Sequence, residues 1–336
     1  MKVVIRLVLL ALGVGLFAWF VVQAGPGEVL GAFKALGGRA PLAVLPYVGV
    51  YLFDTLGWRF AFSGAASLPP YLRLFRIRMA GECVNQVVPS AYLGGEPVKV
   101  YLLHKRGVPG GEGATGVVVA KSLMTLAQVT FIALGSLAAL GAAPPDSSLR
   151  IGLAVVTAGS WSVAGLFFWA QRKGLFEGAL KFLGLFGFKA SEERRAELLR
   201  IDERIRHFYR TERGRFAASY FFHLLGWLIG TLEVWSVCWL LGHPISWSVA
   251  LSIEALGTVA KGLGFFVPGS LGVQESGIAF LFHVFGLPAP LGVSFAILRR
   301  GREVFFAILG GAFLYLEEAH LKGLSERVRA ETAADL

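Results

Sequence analysis

Acidic, basic and amide side chains stand out in two stretches of an otherwise apolar sequence. The first runs from Asn85 to Pro109 (NQVVPSAYLGGEPVKVYLLHKRGVP) and the second from Val267 to Pro288 (VPGSLGVQESGIAFLFHVFGLP). Each has a proline and a glycine-containing turn before a glutamate, Glu96 or Glu275. Such a carboxylate can cap the free N–H groups of a following helix, or bind an amine, a proton or a basic side chain. The glycines would let an anion approach exposed backbone amides.

The two stretches form an internal repeat with a constant offset of 179 residues, the difference between 275 and 96. The offset pairs Pro89/Pro268, Glu96/Glu275, His104/His283, Gly107/Gly286 and Pro109/Pro288 without a gap. It continues outward, because Asp54 matches Glu233 and Lys121 matches Arg300. We therefore predict two units, residues 40–140 and 219–318, each with a span, a broken helix and a second span.

Composition indicates an integral membrane protein. The 336 residues are 55% hydrophobic and 16% charged, against about 25% charged residues in soluble domains. The formal charge of +10 does not indicate nucleic-acid binding, because the basic residues cluster between hydrophobic runs. Cys83 and Cys238 lie in or beside apolar segments, which favours packing roles over a disulfide or a metal site.

Hydrophobic runs near the ~20 residues that cross a bilayer predict six spans in a single all-α polytopic domain covering residues 1–336. They are Val3–Val22, Pro41–Ser63, Ala114–Leu140, Ile151–Ala170, Phe216–Leu241 and Leu291–Leu316. A signal peptide is the alternative for the first run. Two further apolar segments, Tyr71–Lys105 and Ser246–Phe285, are interrupted by Pro and Gly. We interpret each as a re-entrant helical hairpin; the alternative is that each segment crosses the membrane.

The distribution of basic residues predicts that both termini are cytoplasmic. With this orientation the inner side receives Arg73, Arg76, Arg78, Lys99, Lys105, Arg106 and most basic residues of the connector 171–215, whereas the outer loops hold Lys34, Arg39 and Arg150. Three spans separate the two broken segments, so the second hairpin would enter from the opposite face. Inverted repeats with broken helices are an architecture of many transporters.

The sequence of the connector 171–215 predicts a basic amphipathic helix. Ser191 is a candidate N-cap, and Leu198, Ile201, Ile205 and Phe208 follow helical spacing among arginines. We expect this helix to contact anionic lipids of the inner leaflet. Binding of a partner protein is the alternative.

Charged residues inside predicted spans are candidates for function because they are costly in hydrocarbon. Arg299 and Arg300 lie in the run Ile297–Glu303, so they must meet a phosphate or an acid such as Glu275, Glu233 or Glu254. Lys121 would supply the matching charge in the first unit. We expect Asp54 with Arg59, and Glu233 with His223, to form packing pairs. His104 and His283 are expected to cap half-helix ends.

Enzyme signatures are sparse. The sequence has no P-loop, no metal-spaced His/Cys cluster and no nucleophile elbow, which predicts no cofactor, no metal and no catalytic residue.

The two polar stretches, with the ILRRGRE run, resemble the lysylphosphatidylglycerol synthase transmembrane-region, or flippase-like, family. They look especially like its hopanoid-biosynthesis-associated branch. The resemblance implies an inner-membrane protein that moves a lipid. It carries substrate-binding roles over to Asn85, Pro89, Gly95, Glu96, Lys99, Pro268, Gly272, Glu275, Arg299, Arg300 and Arg302. The glycine turns and the repeat add Gly94, Lys121 and Gln274.

Together these observations predict a flippase that moves an anionic or polyisoprenoid-derived lipid, such as a phospholipid or hopanoid, through a polar cavity between two re-entrant helices. A membrane-embedded lipid-modifying enzyme and a non-catalytic scaffold of a lipid-synthesis complex are the alternatives. Lipid-synthesis enzymes and a second copy of the chain are candidate protein partners.

Overall fold

The regular structure of the chain is helical. The computed structural model describes residues 22, 26–64, 66–87, 93–142, 147–185, 191–264, 267 and 270–334, and no strand occurs among them. The predicted all-α class is therefore confirmed for this part of the chain. The first predicted span lies outside the described residues apart from its last one, Val22.

The helices follow one another with short connections. They are α1 (Pro26–Leu36), α2 (Ala40–Phe60), α3 (Tyr71–Val87), α4 (Gly95–His104), α5 (Gly110–Ala142), α6 (Ser147–Lys173), α7 (Leu175–Gly184), α8 (Glu192–Thr211), α9 (Arg213–Leu240), α10 (Trp247–Leu263), α11 (Val273–Val284) and α12 (Ala289–Ala334). A 3-10 turn, Gly37–Arg39, leads into α2.

Four helical segments of the described residues are long and apolar enough to cross a membrane: Gly37–Phe60, Gly110–Gly141, Arg150–Gln171 and Arg213–Leu240. They coincide with the second to fifth predicted spans. The sixth predicted span lies within α12, which continues through the charged run Ile297–Glu303 without a break. The chain is thus a multi-pass membrane protein by its helices, and the full six-span arrangement stays a prediction.

Both predicted broken segments consist of two helices that pack on each other. α3 packs on α4, and α10 packs on α11. In the turn before α11, Ser270 has φ 52° and Gly272 has φ 79°, a region that L side chains rarely adopt. Pro89 and Pro268, which we predicted to interrupt these segments, lie outside the described residues.

The same order of four helices occurs in both predicted units. Helices α2 to α5 correspond in sequence offset to α9 to α12. α2 packs along α9, α12 packs against α3, and α5 packs against α10. Each hairpin therefore lies on the long last helix of the other unit. The inversion of the two units across the membrane stays a prediction.

The connector helix α8 packs on the protein with its apolar stripe. Ile201, Ile205 and Phe208 are buried in a core that includes Phe62 and Leu103. Ser191 caps α8, as predicted, by accepting the N–H of Arg194 at 3.4 Å. Because this stripe is covered by protein, only the exposed arginine-rich face is available for the predicted contact with anionic lipids.

A side-chain cap fixes α8 to the preceding helix. The carboxylate of Asp202 accepts the backbone N–H groups of Phe176 (3.1 Å) and Glu177 (2.9 Å) in the first turn of α7. An acidic group at a helix N-terminus satisfies donors that have no partner within the helix.

Candidate functional site

Two clusters of charged side chains lie among the helices, one for each unit. We define the first polar cluster as Asp54, Arg78, Glu82, Asn85, Glu96, Lys99, Lys121 and His223. Its members come from α2, α3, α4 and α5, except His223, which comes from α9. Six of the predicted site residues, Gly94 and Gly95 at the start of α4 included, contribute to it or border it.

Ion pairs connect the first polar cluster from α5 to α3. Lys121 Nζ lies 3.7 Å from Glu96 Oε1, and Lys99 Nζ lies 3.2 Å from Glu96 and 2.9 Å from Glu82. Glu82 in turn lies 3.9 Å from Arg78. The carboxylates are therefore shared between neighbouring cations, which reduces the cost of burying them.

Asn85 caps α4, a role that the sequence had suggested for Glu96. The side-chain oxygen of Asn85 accepts the N–H of Gly95 at 2.7 Å, and its amide donates to Glu96 at 3.4 Å. Gly95 permits this approach, because a Cβ there would collide with the carbonyl group of Gly81. Glu96 is left to bind Lys99 and Lys121.

Asp54 lies at the contact between α2, α3 and α9. Its Oδ2 accepts from Arg78 at 2.9 Å, and its Oδ1 lies 2.9 Å from Nδ1 of His223. The predicted pairs of Asp54 with Arg59 and of His223 with Glu233 are therefore wrong. The sequence offers several bases near each acid, and the packing of α9 on α2 decides between them.

The second polar cluster comprises Tyr47, Glu233, Glu254, Lys261, Gln274, Glu275, Arg299, Arg300, Arg302 and Glu303. Tyr47 comes from α2, and the others come from α9 to α12. Each cluster thus receives one side chain from the first helix of the other unit.

Arg299 and Arg302 bind the same buried carboxylate. Arg299 lies 3.1 Å from Glu233 and also pairs with Glu254, and Arg302 lies 3.0 Å from Glu233. The prediction that an arginine of this run meets Glu233 or Glu254 is confirmed. Glu233 is thus shared between two guanidinium groups.

Glu275 combines a cap with an ion pair. Its Oε2 accepts the N–H of Gly272 at 2.7 Å, and its Oε1 accepts from Arg300 Nε at 2.7 Å. Arg300 also lies 2.9 Å from Glu303, which is bound by Lys261 at 2.8 Å and by Gln274 at 3.2 Å. The predicted capping role of Glu275 and its predicted pairing with an arginine are both confirmed.

Two tyrosines of α2 connect the clusters. The guanidinium of Arg302 lies over the ring of Tyr47 at 3.1 Å, and Arg78 lies 5.7 Å from the ring centroid of Tyr51. The two rings are 6.0 Å apart, one helical turn from each other. A continuous line of charged and aromatic groups therefore runs through the bundle.

The first polar cluster encloses a cavity of about 20 Å³, which is lined by charged side chains of α3, α4 and α5 together with Trp58 and His223. That volume holds about one water molecule. A lipid head group is larger than this cavity.

Two matched cations, one in each cluster, are more accessible than the glutamates with which they pair. Side-chain exposure is 25% for Lys121 against 16% for Glu96, and 20% for Arg300 against 2% for Glu275. The other cations do not follow this pattern, because Lys99 is 7% exposed against 21% for Glu82.

Five members of the clusters had no predicted partner and no predicted place in the site. Arg78 had been counted only for membrane orientation, and Tyr47, Glu82, Lys261 and Glu303 had no assigned role. The i,i+4 spacing of Arg78 and Glu82 in α3 was the available signal. His104 and His283 lie in the last turns of α4 and α11.

Comparison with known proteins shows which family the chain is similar to. The family described as "Lysylphosphatidylglycerol synthase TM region" matches residues 3–311. A UPF0104 membrane protein of Pyrococcus horikoshii is 23% identical over 294 residues, which cover 83% of this chain and 87% of that protein. A UPF0104 membrane protein of Methanothermobacter thermautotrophicus is 31% identical over 115 residues, and the match spans 34% of each protein.

Proposed function

The chain belongs to the lysylphosphatidylglycerol synthase TM-region family, and we propose that it moves an anionic lipid between the two leaflets of the cytoplasmic membrane. In this proposal the head group passes between the two polar clusters while the acyl or isoprenoid tail stays in the bilayer. Both termini are cytoplasmic, and the two hairpins enter from opposite faces. The protein transports its lipid without modifying it covalently.

The observation that carries the proposal is the line of ion pairs within a bundle of membrane-spanning helices. Asp54 lies on α2 and Glu233 on α9, two helices apolar enough to cross a membrane. Buried ion pairs contribute little net stability compared with well-packed apolar residues. Ionisable groups at membrane depth mark substrate and ion pathways. A path for a polar head group explains why so many ionisable side chains lie inside the bundle.

The accessible cations favour an anionic head group. Arg300 and Lys121 occupy matching positions of the two units, and each is more exposed than the glutamate with which it pairs. Arginine can bind a phosphate with two parallel hydrogen bonds. A phosphate that meets either cation would replace the carboxylate as its partner. The freed glutamate could then accept backbone N–H groups at the start of its half-helix.

The small cavity supports a mechanism with more than one conformation. The cavity of the first polar cluster has room for about one water molecule, so in this proposal the head group binds in a more open conformation. Movement of one unit against the other would open the cluster to one leaflet at a time, as in other inverted-repeat transporters.

The test is lipid movement in proteoliposomes made of phosphatidylcholine with a trace of NBD-labelled phosphatidylglycerol. Dithionite added outside bleaches the NBD groups that reach the outer leaflet. We expect the wild-type protein to increase the bleached fraction above one half, and Glu96→Gln, Glu275→Gln and Arg300→Gln each to slow the movement about tenfold or more. One lost charge-assisted hydrogen bond of ~1.5–3 kcal/mol is the expected cause.

Glu192→Gln is the matched control, because Glu192 is an exposed glutamate of α8. It should move the probe at the wild-type rate. Wild-type rates in all three site variants would overturn the assignment of the site. A probe that changes mass during the assay would instead indicate a lipid-modifying enzyme.

A further inference from the structure

A cavity much larger than that of the first polar cluster lies between the connector helix α8 and the bundle. Its volume is about 540 Å³, and it is lined by residues of α8, by the first turns of α5 and by the turn that follows α2. Ligand pockets usually have volumes of ~300–1,000 Å³. The cavity is therefore large enough to hold a phospholipid head group.

This cavity lies at the level where membrane-spanning helices end. The candidate spans of α2, α5 and α9 each have one end here. The lining residues Ser63, Pro109 and Glu212 lie within three residues of those ends. A bilayer has its polar head groups at the boundary of the hydrocarbon core. A lipid of the adjacent leaflet can therefore place its head group in the cavity, and with the predicted orientation this leaflet is the inner one.

Charged side chains of both signs line the cavity without forming ion pairs. Arg200, Glu203 and Arg204 belong to α8, and Glu112 lies in the first turn of α5. Within the part of the chain that the structure describes, none of these four side chains lies within 4.0 Å of an opposite charge. We call these four residues the α8 site. Its arginines and its glutamates can therefore each bind a ligand group of the opposite charge.

Arg204 reaches across the cavity to the start of α5. A Cβ on Gly111 would come within 2.2 Å of Nη1 of Arg204, so the guanidinium lies against the backbone of the first turn of α5. A cation at a helix N-terminus faces the positive end of the helix dipole, and an anion bound between them is favourable to both. Arg200 lies one turn before Arg204 on α8. A phosphate bound here can accept hydrogen bonds from both guanidinium groups.

The glutamates show that an anion alone does not match the cavity. The described lining includes three glutamates and two arginines. Glu212 already accepts the hydroxyl of Ser63 and the backbone N–H of Gly64, both at 3.1 Å, which leaves Glu112 and Glu203 for a cation. A ligand with a phosphate and an ammonium group satisfies both kinds of side chain. A primary ammonium donates three hydrogen bonds, as a lysine does, whereas a trimethylammonium group has no N–H donor.

Aromatic side chains separate the α8 site from the first polar cluster. Phe62 lines the large cavity, and its ring centroid lies 5.9 Å from that of Trp58, which lines the small cavity. A Cβ on Gly116 of α5 would come within 2.4 Å of the Phe62 ring, so Phe62 fills the space between α2 and α5. A head group in the large cavity is therefore held outside the polar clusters.

We propose that the α8 site binds a phospholipid with a primary ammonium group, of the phosphatidylethanolamine type, as a resident lipid that is not transported. Its phosphate lies between Arg200 and Arg204, and its ammonium group donates to Glu112 and Glu203. The inference goes beyond the proposed function and does not depend on it.

The test is native mass spectrometry of the full chain in detergent, titrated with phosphatidylethanolamine or phosphatidylcholine that have identical acyl chains. The two lipids have the same net charge and differ in the ammonium group. We expect the apparent affinity for phosphatidylethanolamine to be about tenfold higher, because only its ammonium group can donate to the glutamates.

Two substitutions separate the two halves of the head group. Arg204→Gln should lower the affinity for both lipids about tenfold, whereas Arg195→Gln, at another exposed arginine of α8, should leave both affinities unchanged. Glu112→Gln should remove the preference for phosphatidylethanolamine and leave the affinity for phosphatidylcholine at the wild-type value. A misfolded protein would not lose only the preference.

Equal affinities of the wild type for the two lipids would overturn the proposal. A titration with phosphatidylglycerol adds a second criterion: if Arg204→Gln lowers its affinity more than that of phosphatidylethanolamine, the arginines bind anionic lipids and the ammonium site is wrong. Lys121→Gln combined with Arg300→Gln should bind phosphatidylethanolamine as the wild type does. Loss of binding in this double variant would place the lipid at the polar clusters instead. Lipid movement in proteoliposomes is measured separately, so it stands or fails independently of these results.

Discussion

Nε of Arg300 lies 2.7 Å from Oε1 of Glu275, and this pair joins the start of α11 to the first third of α12. The pair that corresponds to it by the 179-residue offset, Lys121 and Glu96, joins α4 to α5 at 3.7 Å. The same acid–base contact thus occurs at the same place in both units. The second unit uses an arginine, and its glutamate also accepts the backbone N–H of Gly272, whereas Asn85 accepts the corresponding N–H of Gly95 in the first unit.

Asn85→Ala should destabilise the α3–α4 hairpin by about 1 kcal/mol or more, because it removes the cap on Gly95 and leaves a buried N–H group without an acceptor. Thermal unfolding in detergent, followed by circular dichroism, measures the effect. Ser191→Ala removes an exposed cap with a longer hydrogen bond of 3.4 Å and should cost less. Equal losses in the two variants would contradict the buried cap.

Gly95→Ala should cost about 1–3 kcal/mol, the usual range for forcing an extra group into a packed interior. The added methyl group would collide with the backbone of Gly81, which cannot move without separating α3 from α4. Gly165→Ala is the control, since Gly165 lies in α6 and a Cβ there meets nothing within 4 Å. The unfolding temperatures of the two variants are compared with the wild type. An unchanged value for Gly95→Ala would show that the two helices are not in contact.

The sequence predicted the partners that lie close along the chain better than those that depend on packing between units. Glu275 lies 25 residues from Arg300, and their pairing was among the expected ones because both interrupt apolar runs of one unit. His223 and Asp54 are 169 residues apart, and each had been assigned to a different partner. Their contact depends on how α9 crosses α2, which hydrophobic patterning does not encode.

The connector helix α8 shows a second limit of prediction from the sequence. Its amphipathic pattern and its Ser191 cap were correctly predicted, but periodicity reports only that one face is apolar. Ile205 and Phe208 pack on the bundle. A helix that lies on a lipid surface has the same amphipathic pattern, so the pattern does not distinguish the two surroundings. The contact of Asp202 with the start of α7, which attaches α7 to α8, is likewise not indicated by the pattern.

Tyr209 should make stability depend on pH in the alkaline range. Its hydroxyl group donates to Gln171 at 2.8 Å, and burial raises its pKa from 10.0 to about 12. The fold favours the protonated phenol, so this contribution is fully present below pH 10 and is lost as the pH rises through 12. Tyr209→Phe should lower the unfolding free energy by about 1 kcal/mol at pH 8. Its difference from the wild type should shrink above pH 10.

Chemical denaturation at pH 8 and at pH 11 measures this difference. Tyr315→Phe is the control, because Tyr315 is 74% exposed on α12. A difference between wild type and Tyr209→Phe that is constant with pH would contradict the buried, hydrogen-bonded phenol.

The central claim is that the two matched cations select an anionic head group, and the most direct test compares two probes in one assay. Movement of NBD-labelled phosphatidylglycerol and of NBD-labelled phosphatidylcholine is measured for the wild type and for Lys121→Gln combined with Arg300→Gln. We predict that the wild type moves the anionic probe about tenfold faster, the effect of ~1.4 kcal/mol, and that the double variant moves both probes at similar slow rates. Equal rates for the two probes in the wild type, or an undiminished preference in the double variant, would contradict the account.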